Sequence, residues 1–264
     1  MTLVREPAVA GMFYPADPAA LAIEVDTLLA AAPTETGKAP KAIIVPHAGY
    51  IYSGPIAASA YARFKTVANN IRHIVLLGPS HRVALTGLAL SGVGTFATPL
   101  GDIKIDTETT KRLQALPQVQ ELPAAHRWEH SLEVQLPFLQ KLFDDFTLTP
   151  LVVGNATGTQ VADVLDCLWG GDETLIVISS DLSHYLPYQA AQQIDQATAN
   201  AIVELRGPLK LDEACGGIPV NGLIEAARRH GLTPELIDLR NSGDTAGDKN
   251  RVVGYGAFGF YAAH

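Results

Sequence analysis

Three histidines each follow, within a few residues, a short apolar run. Ala42-Ile43-Ile44-Val45 leads into Pro46-His47, and His73-Ile74-Val75-Leu76-Leu77 leads into Gly78-Pro79-Ser80-His81. Thr174-Leu175-Ile176-Val177-Ile178 leads through Ser179-Ser180-Asp181-Leu182-Ser183 to His184. Runs of this kind, bounded by turn residues, read as strands buried on both faces. Pro46 cannot donate to a sheet ladder and ends the first. Ligands of open α/β sheets bind beyond the carboxyl ends of the strands. If these strands are parallel neighbours, the three imidazoles meet at one sheet edge and could hold a metal. Taken singly, each histidine is a polar loop residue with a satisfied side chain; three in the same position favour a shared site. No His-Glu-x-x-His or paired Cys-x-x-Cys is present, so the fold must assemble that site.

Of the two cysteines, Cys167 lies within Val164-Leu165-Asp166-Cys167-Leu168-Trp169 and reads as a small buried hydrophobe. Cys215 precedes Gly216-Gly217 at an expected helix N-terminus. That setting lowers a thiol pKa, which admits a thiolate ligand or a nucleophile. Imidazole with thiolate suits Fe, Zn or Cu and not Mg or Ca. Asp181 could orient an imidazole or cap a helix. His126-Arg127-Trp128-Glu129-His130-Ser131-Leu132-Glu133 is a second dense polar cluster. Within it His130 and Glu133 share one face of an expected helix and could line the cleft as acid or base, or simply open a surface helix. Tyr50 and Tyr52 are candidates for aromatic walls or phenol donors. His73, His230 and His264 read as structural.

These residues need a scaffold, and composition supports one. The chain has 264 residues, 47% hydrophobic and 17% charged, which suits one α/β domain over 1–264. A net charge of -8 without basic blocks argues against nucleic acid and anionic membrane surfaces. No apolar run approaches the roughly 20 residues of a membrane span. Two cysteines and an N-terminus without an apolar signal core point to a reducing cytoplasm.

Alternating patterns predict a three-layer α/β/α sandwich around a mixed, largely parallel sheet. Helices are expected after Asp17, over 54–64, from Asp106 to about Leu116, from the 126–133 cluster through Phe143, and over 159–169, 190–205 and 220–230. Pro137 should kink or end the fourth of these. Strands are expected over 87–91, 146–153, 235–239 and 252–261, a loop over 95–102, and a polar linker over 34–41.

The motifs Ala10-Gly11-Met12-Phe13-Tyr14-Pro15, Pro46-His47-Ala48-Gly49-Tyr50, Gly78-Pro79-Ser80-His81, Thr98-Pro99-Leu100-Gly101, Glu129-His130-Ser131-Leu132-Glu133, Ser179-Ser180-Asp181-Leu182-Ser183-His184 and Cys215-Gly216 occur in this order along the chain. In them the sequence resembles the Memo family, represented in prokaryotes within the AmmeMemoRadiSam system. The resemblance implies a fold like that of the class III extradiol dioxygenases, non-haem iron enzymes that open catechol rings. It implies metal ligands at His47, His81 and Cys215, with Asp181 and His184 beside them. It also implies Fe(II), or alternatively copper, and radical-SAM and AMMECR-type partner proteins. The dioxygenases use a carboxylate where this chain has cysteine, a departure from ordinary ring-cleaving chemistry.

The leading expectation is a mononuclear metal oxidoreductase acting on an unidentified small molecule, with His184 moving protons and Asp181 orienting it. Its rivals are a non-catalytic metal-binding scaffold and a metal-free hydrolase with Cys215 as nucleophile and His184 as base.

Overall fold

Residues 3–33 and 37–262 are described in a computed structural model. Part of the expected linker and His264 lie outside them. In chain order the elements are β1 Val4–Arg5, α1 Pro18–Ala31, β2 Ala42–Val45, α2 Tyr50–Tyr61, β3 His73–Pro79, β4 Leu88–Leu90, β5 Thr95–Thr98, β6 Gly101–Lys104, α3 Thr107–Leu113, β7 Val119–Glu121, α4 Pro123–Arg127, α5 Leu136–Leu142, β8 Thr147–Val153, α6 Gly158–Cys167, β9 Thr174–Ser179, β10 His184–Leu186, α7 Tyr188–Val203, α8 Gly217–His230, β11 Leu232–Asn241 and β12 Val252–Ala262.

Among the described residues a nine-stranded sheet runs β10-β12-β2-β9-β3-β8-β4-β7, with β11 added on β12. The central strands β2, β9, β3 and β8 are parallel, while β12 and β4 pair antiparallel with β2 and β8. The sheet is mixed with a parallel centre, as predicted.

Side-chain alternation sorts the core into two layers. Ile43, Val45, Ile74, Leu76 and Val177 pack with Val25 of α1, Ile56 of α2 and Phe138 of α5. Ala42, Ile44, Val75, Leu77 and Ile178 pack with Val164 of α6, Ile202 of α7 and Leu223 of α8. Helices therefore cover both faces of an α/β/α sandwich. No helix among the described residues is long and apolar enough to cross a membrane.

Three expectations are corrected. Residues 95–102 are not simply a loop: β5 and β6 form a hairpin, and β5 also pairs with β1. Phe96 is buried, and the Thr98 hydroxyl donates to Gln140 Oε1 at 2.6 Å, which anchors the hairpin on α5. Helix α2 begins at Tyr50, four residues before the predicted start, and carries Pro55 inside it. Pro55 cannot supply the amide hydrogen that the Ile51 carbonyl would take, so a start near the proline is what the sequence favours.

The helix expected from the 126–133 cluster is broken. Helix α4 ends at Arg127, a 3₁₀ turn covers Glu133–Gln135, and α5 starts at Leu136 with Pro137 in its first turn, where proline is tolerated. His130 and Glu133 consequently do not share a helix face.

Glu133 is a structural anchor and not a cleft residue. It is fully buried, and its carboxylate takes the Arg5 guanidinium, the Ala8 amide at 2.7 Å, the Val9 amide at 2.9 Å and the Tyr14 hydroxyl. Arg5 also donates to the carbonyls of His126 at 3.1 Å and Glu129 at 2.6 Å. The pair thus ties the N-terminal segment to the polar cluster. Replacing Glu133 by Ala leaves a guanidinium buried without its partner and should cost about 3–5 kcal/mol of stability. Tyr14→Phe removes one hydrogen bond and should cost about 1 kcal/mol. Urea denaturation checks both; equal effects from the two variants would contradict the anchoring role.

Candidate metal centre

Register alone brings the predicted residues together. Val45 of β2 lies opposite Ser179 of β9, and Ile178 of β9 lies opposite Leu77 of β3. The three carboxyl ends therefore deliver His47, Asp181 and His81 side by side. The His47 and His81 rings are 5.2 Å apart between centroids.

The third imidazole of the cluster is His130, which arrives from the polar cluster of the sequence. Its ring is 4.7 Å from His81 and 5.4 Å from His47. One ring nitrogen from each of these three histidines lies within 4.8 Å of the others. His184 lines the same cleft but stands outside this trio.

Hydrogen bonds fix which nitrogen each imidazole presents. The Ser179 hydroxyl donates to the Ser131 carbonyl and accepts from Gln135 Nε2 at 2.9 Å. Only an acceptor site remains on Ser179 Oγ, so His47 Nδ1, 2.9 Å away, must be the donor. His81 Nδ1 donates to Glu129 Oε1 at 2.8 Å, and His184 Nδ1 donates to the Leu182 carbonyl at 2.8 Å. In all three rings the hydrogen bond places a proton on Nδ1 and leaves Nε2 as the nitrogen for a further partner, the tautomer that binds metals.

Burial, followed by repulsion from the other imidazoles, pushes the His47 pKa well below its ordinary value. Burial also lowers His130 to about 4, so both rings are neutral donors near pH 7.

Glu129, which sequence reasoning did not single out, positions His81. Burial alone would raise its carboxyl, but the His81 side-chain hydrogen bond and charge, with the Ser131 and His81 amides, overturn that and hold it at about 2. The His81 amide donates at 2.6 Å and the Ser131 amide at 2.9 Å. The one sequence signal was its place directly before His130.

Asp181 is buried, and its Oδ1 accepts the His47 amide at 2.7 Å. Burial raises its carboxyl to about 6, against the amide hydrogen bonds from His47 and Ala48. It therefore positions the loop after β2. It is not a helix cap, and the partner of His184 Nδ1 is the Leu182 carbonyl instead.

Cys215 sits just before α8, with its amide on the Asp181 carbonyl at 3.2 Å. Gly216 makes this approach possible: a Cβ there would lie 2.6 Å from Ser180 Cβ and 2.8 Å from the Ser179 carbonyl oxygen. Cys215 Sγ is 3.3 Å from His47 Nε2, so the thiol donates to that lone pair. Burial, and next the Asp181 charge, push the thiol well above its ordinary pKa. The expected lowering of the thiol pKa at a helix N-terminus is thereby corrected: desolvation outweighs the helix end and raises it. Cys167, expected to be buried, is exposed.

Tyr50 is also corrected. It is buried, its hydroxyl donates to the Val134 carbonyl at 2.7 Å, and its ring packs 5.0 Å from Phe138. Two positions on, Tyr52 takes the cleft wall instead. The cleft has a volume of about 550 Å³, and Phe13, Tyr52, His130, Asp181, His184 and Arg251 are among its lining residues.

Residues 5–258 match the family model described as Memo-like protein. A MEMO1 family protein of Aquifex aeolicus is 39% identical, with 96% of this chain and 97% of that protein covered. Relatives of the same description from Methanosarcina barkeri and Sulfolobus acidocaldarius are 36% and 34% identical, each covering 96% of this chain and 98% of their own length. An uncharacterized protein from Escherichia coli K12 has a similar backbone over 83% of this chain and 99% of its own, with a TM-score of 0.49 and 10% identity.

The hydrogen bonds predict a tautomer pattern. In ¹⁵N-edited spectra of the metal-free protein above pH 7, His47, His81 and His184 should show protonated Nδ1. His126, whose Nε2 donates to the Ala89 carbonyl at 2.8 Å, should show the reverse. Protonated Nε2 on His47 or His81 would contradict this geometry.

Proposed function

We propose, from the premise that this chain belongs to the Memo-like protein family, that its cleft holds one redox-active metal ion that acts on a small organic molecule. One observation carries the reading: the nitrogens of His47, His81 and His130 lie within 4.8 Å of one another. Two of these rings, His47 and His81, have their opposite nitrogen engaged, which is how proteins prepare imidazoles for a metal.

The proposed ligands are His47, His81 and Cys215, with the His130 imidazole as the neighbouring donor. Imidazole nitrogens with a cysteine sulfur, which gives up its proton on binding, fit Fe(II), and copper second, in preference to Mg or Ca. When bound, such an ion supplies a Lewis-acidic, electron-transferring centre.

The chain's own residues do the rest. Ser179 and Glu129 keep the His47 and His81 rings in place, and Asp181 fixes the backbone from which His47 extends. His184, with Nδ1 tied to a carbonyl, has Nε2 left to accept or deliver a proton on the cleft side. The proposed chemistry is akin to that of the class III extradiol dioxygenases, with a cysteine where they have a carboxylate. The raised pKa of Cys215 weighs against the hydrolase alternative, because a neutral thiol is a poor nucleophile.

Anaerobic metal analysis of the wild type beside His47→Ala and Cys215→Ala tests the proposal. Near-stoichiometric iron or copper should be lost in both variants. Glu129→Gln, which weakens the hold on His81, should lower metal affinity by about 10–100-fold in a chelator competition. A wild type that refuses both Fe(II) and Cu(I) would overturn the metal reading. Full metal in Cys215→Ala with loss in His130→Ala would move the third ligand to His130.

A further inference from the structure

The cleft lined by His130 and His184 also carries a cation. Arg251 is the one Lys or Arg among the lining residues. Its guanidinium lies 5.1 Å over the Tyr185 ring and makes no ion pair among the described residues. Arg251 is exposed at the rim of the cleft, where it is the one cation that a negatively charged occupant would meet.

Tyr185 is held in an unusual way to meet it. Its φ is 59°, in the left-handed region that a bulky residue rarely adopts. Such backbone outliers persist where the surrounding structure fixes them, commonly at ligand sites. The Tyr185 side chain is 62% exposed, so burial of its ring does not account for the conformation. Tyr185 is the bulged residue of β10, where the register with β12 shifts between His184 and Leu186, and the bulge leaves its ring against Arg251 and 5.8 Å from the His184 ring.

The remaining wall sorts by polarity. Ile51 is 66% exposed and Tyr52 is 38% exposed, and with Phe13 they present apolar surface to the cleft. Two carboxylates also line the cleft. Asp181 is buried and takes the His47 amide. Asp248 lies on the loop before Arg251 and takes the Asn250 amide at 2.7 Å. Both carboxylates repel a negative group, and Arg251 is the one lining cation that can pair with it. A single guanidinium pairs a single negative charge, and its planar fork suits a carboxylate.

We propose that Arg251 determines the specificity of the cleft, binding the carboxylate of an organic acid. The apolar body of the acid lies along Phe13, Ile51 and Tyr52, and its far end reaches the imidazoles. This rests on the reading of the cleft as a small-molecule site, but its test needs no metal. Tyr185 is a positioning residue that holds the guanidinium by ring contact.

The test compares 2-naphthoate with its neutral isostere 2-naphthamide on the full-length protein, as purified and again after chelation. Affinities are followed by NMR shift titration. Wild type should prefer the acid by about tenfold or more, the scale of a charge-assisted pair. Arg251→Gln should remove the preference, and Arg251→Lys should restore part of it. Shifts should centre on Tyr52 and Tyr185. Equal affinity for acid and amide in wild type, a preference that survives Arg251→Gln, or binding of neither probe would overturn the proposal. Metal content of Arg251→Gln should equal that of wild type, so failure of the anion preference and failure of the metal centre are read separately.

Discussion

The parallel register of β2, β9 and β3 is the constraint on which the site depends. Each strand is buried on both faces, so each is fixed by two core layers and cannot slip without moving every apolar side chain to the wrong layer. With register fixed, Val45, Ser179 and Pro79 end near one level, and whatever follows them must converge. The Ser179 hydroxyl then links the ends: it is joined to the His47 ring, the Ser131 carbonyl and Gln135. One hydroxyl thus joins two strand ends and the polar cluster that carries Glu129 and His130.

Desolvation sets the charge state of what converges. His47, His81, His130, His184, Asp181 and Cys215 are close neighbours and would interact strongly if all were charged. Burial instead keeps His47, His130 and Cys215 neutral, and Glu129 alone among the positioning acids is held firmly ionised by the hydrogen bonds it accepts. Neutral donors beside the Glu129 and Asp181 carboxylates are suited to receive a cation. Glu133 performs a parallel task away from the cleft, where its pair with Arg5 secures the N-terminal segment.

The strands, the sandwich and the meeting of His47 with His81 were legible in the sequence, because they follow from apolar runs that end in turn residues. The 126–133 cluster was not. Its helical spacing was real, but hydrogen bonds that Glu129 and Glu133 accept from distant residues, and that Ser131 donates to Pro79, outweighed local helix formation, and sequence spacing carries no record of such partners. Spacing therefore does not reveal Glu129, places His130 in the cleft without its role in the trio, and puts Glu133 on the wrong side. Tyr50 is misplaced for a related reason: a helix beginning four residues early turns Tyr50 inward and Tyr52 outward. The thiol of Cys215 is misjudged because a helix N-terminus is visible in sequence and burial is not. Arg251 and Tyr185 are sixty-six positions apart, and only the fold shows them in contact.

The central claim is that this register builds a metal site from two imidazoles and a cysteine sulfur. X-ray absorption at the metal edge of the loaded protein tests it most directly. The account predicts nitrogen scatterers from imidazole together with one sulfur at about 2.3 Å. A shell of nitrogen and oxygen alone would contradict it and leave Cys215 outside the centre.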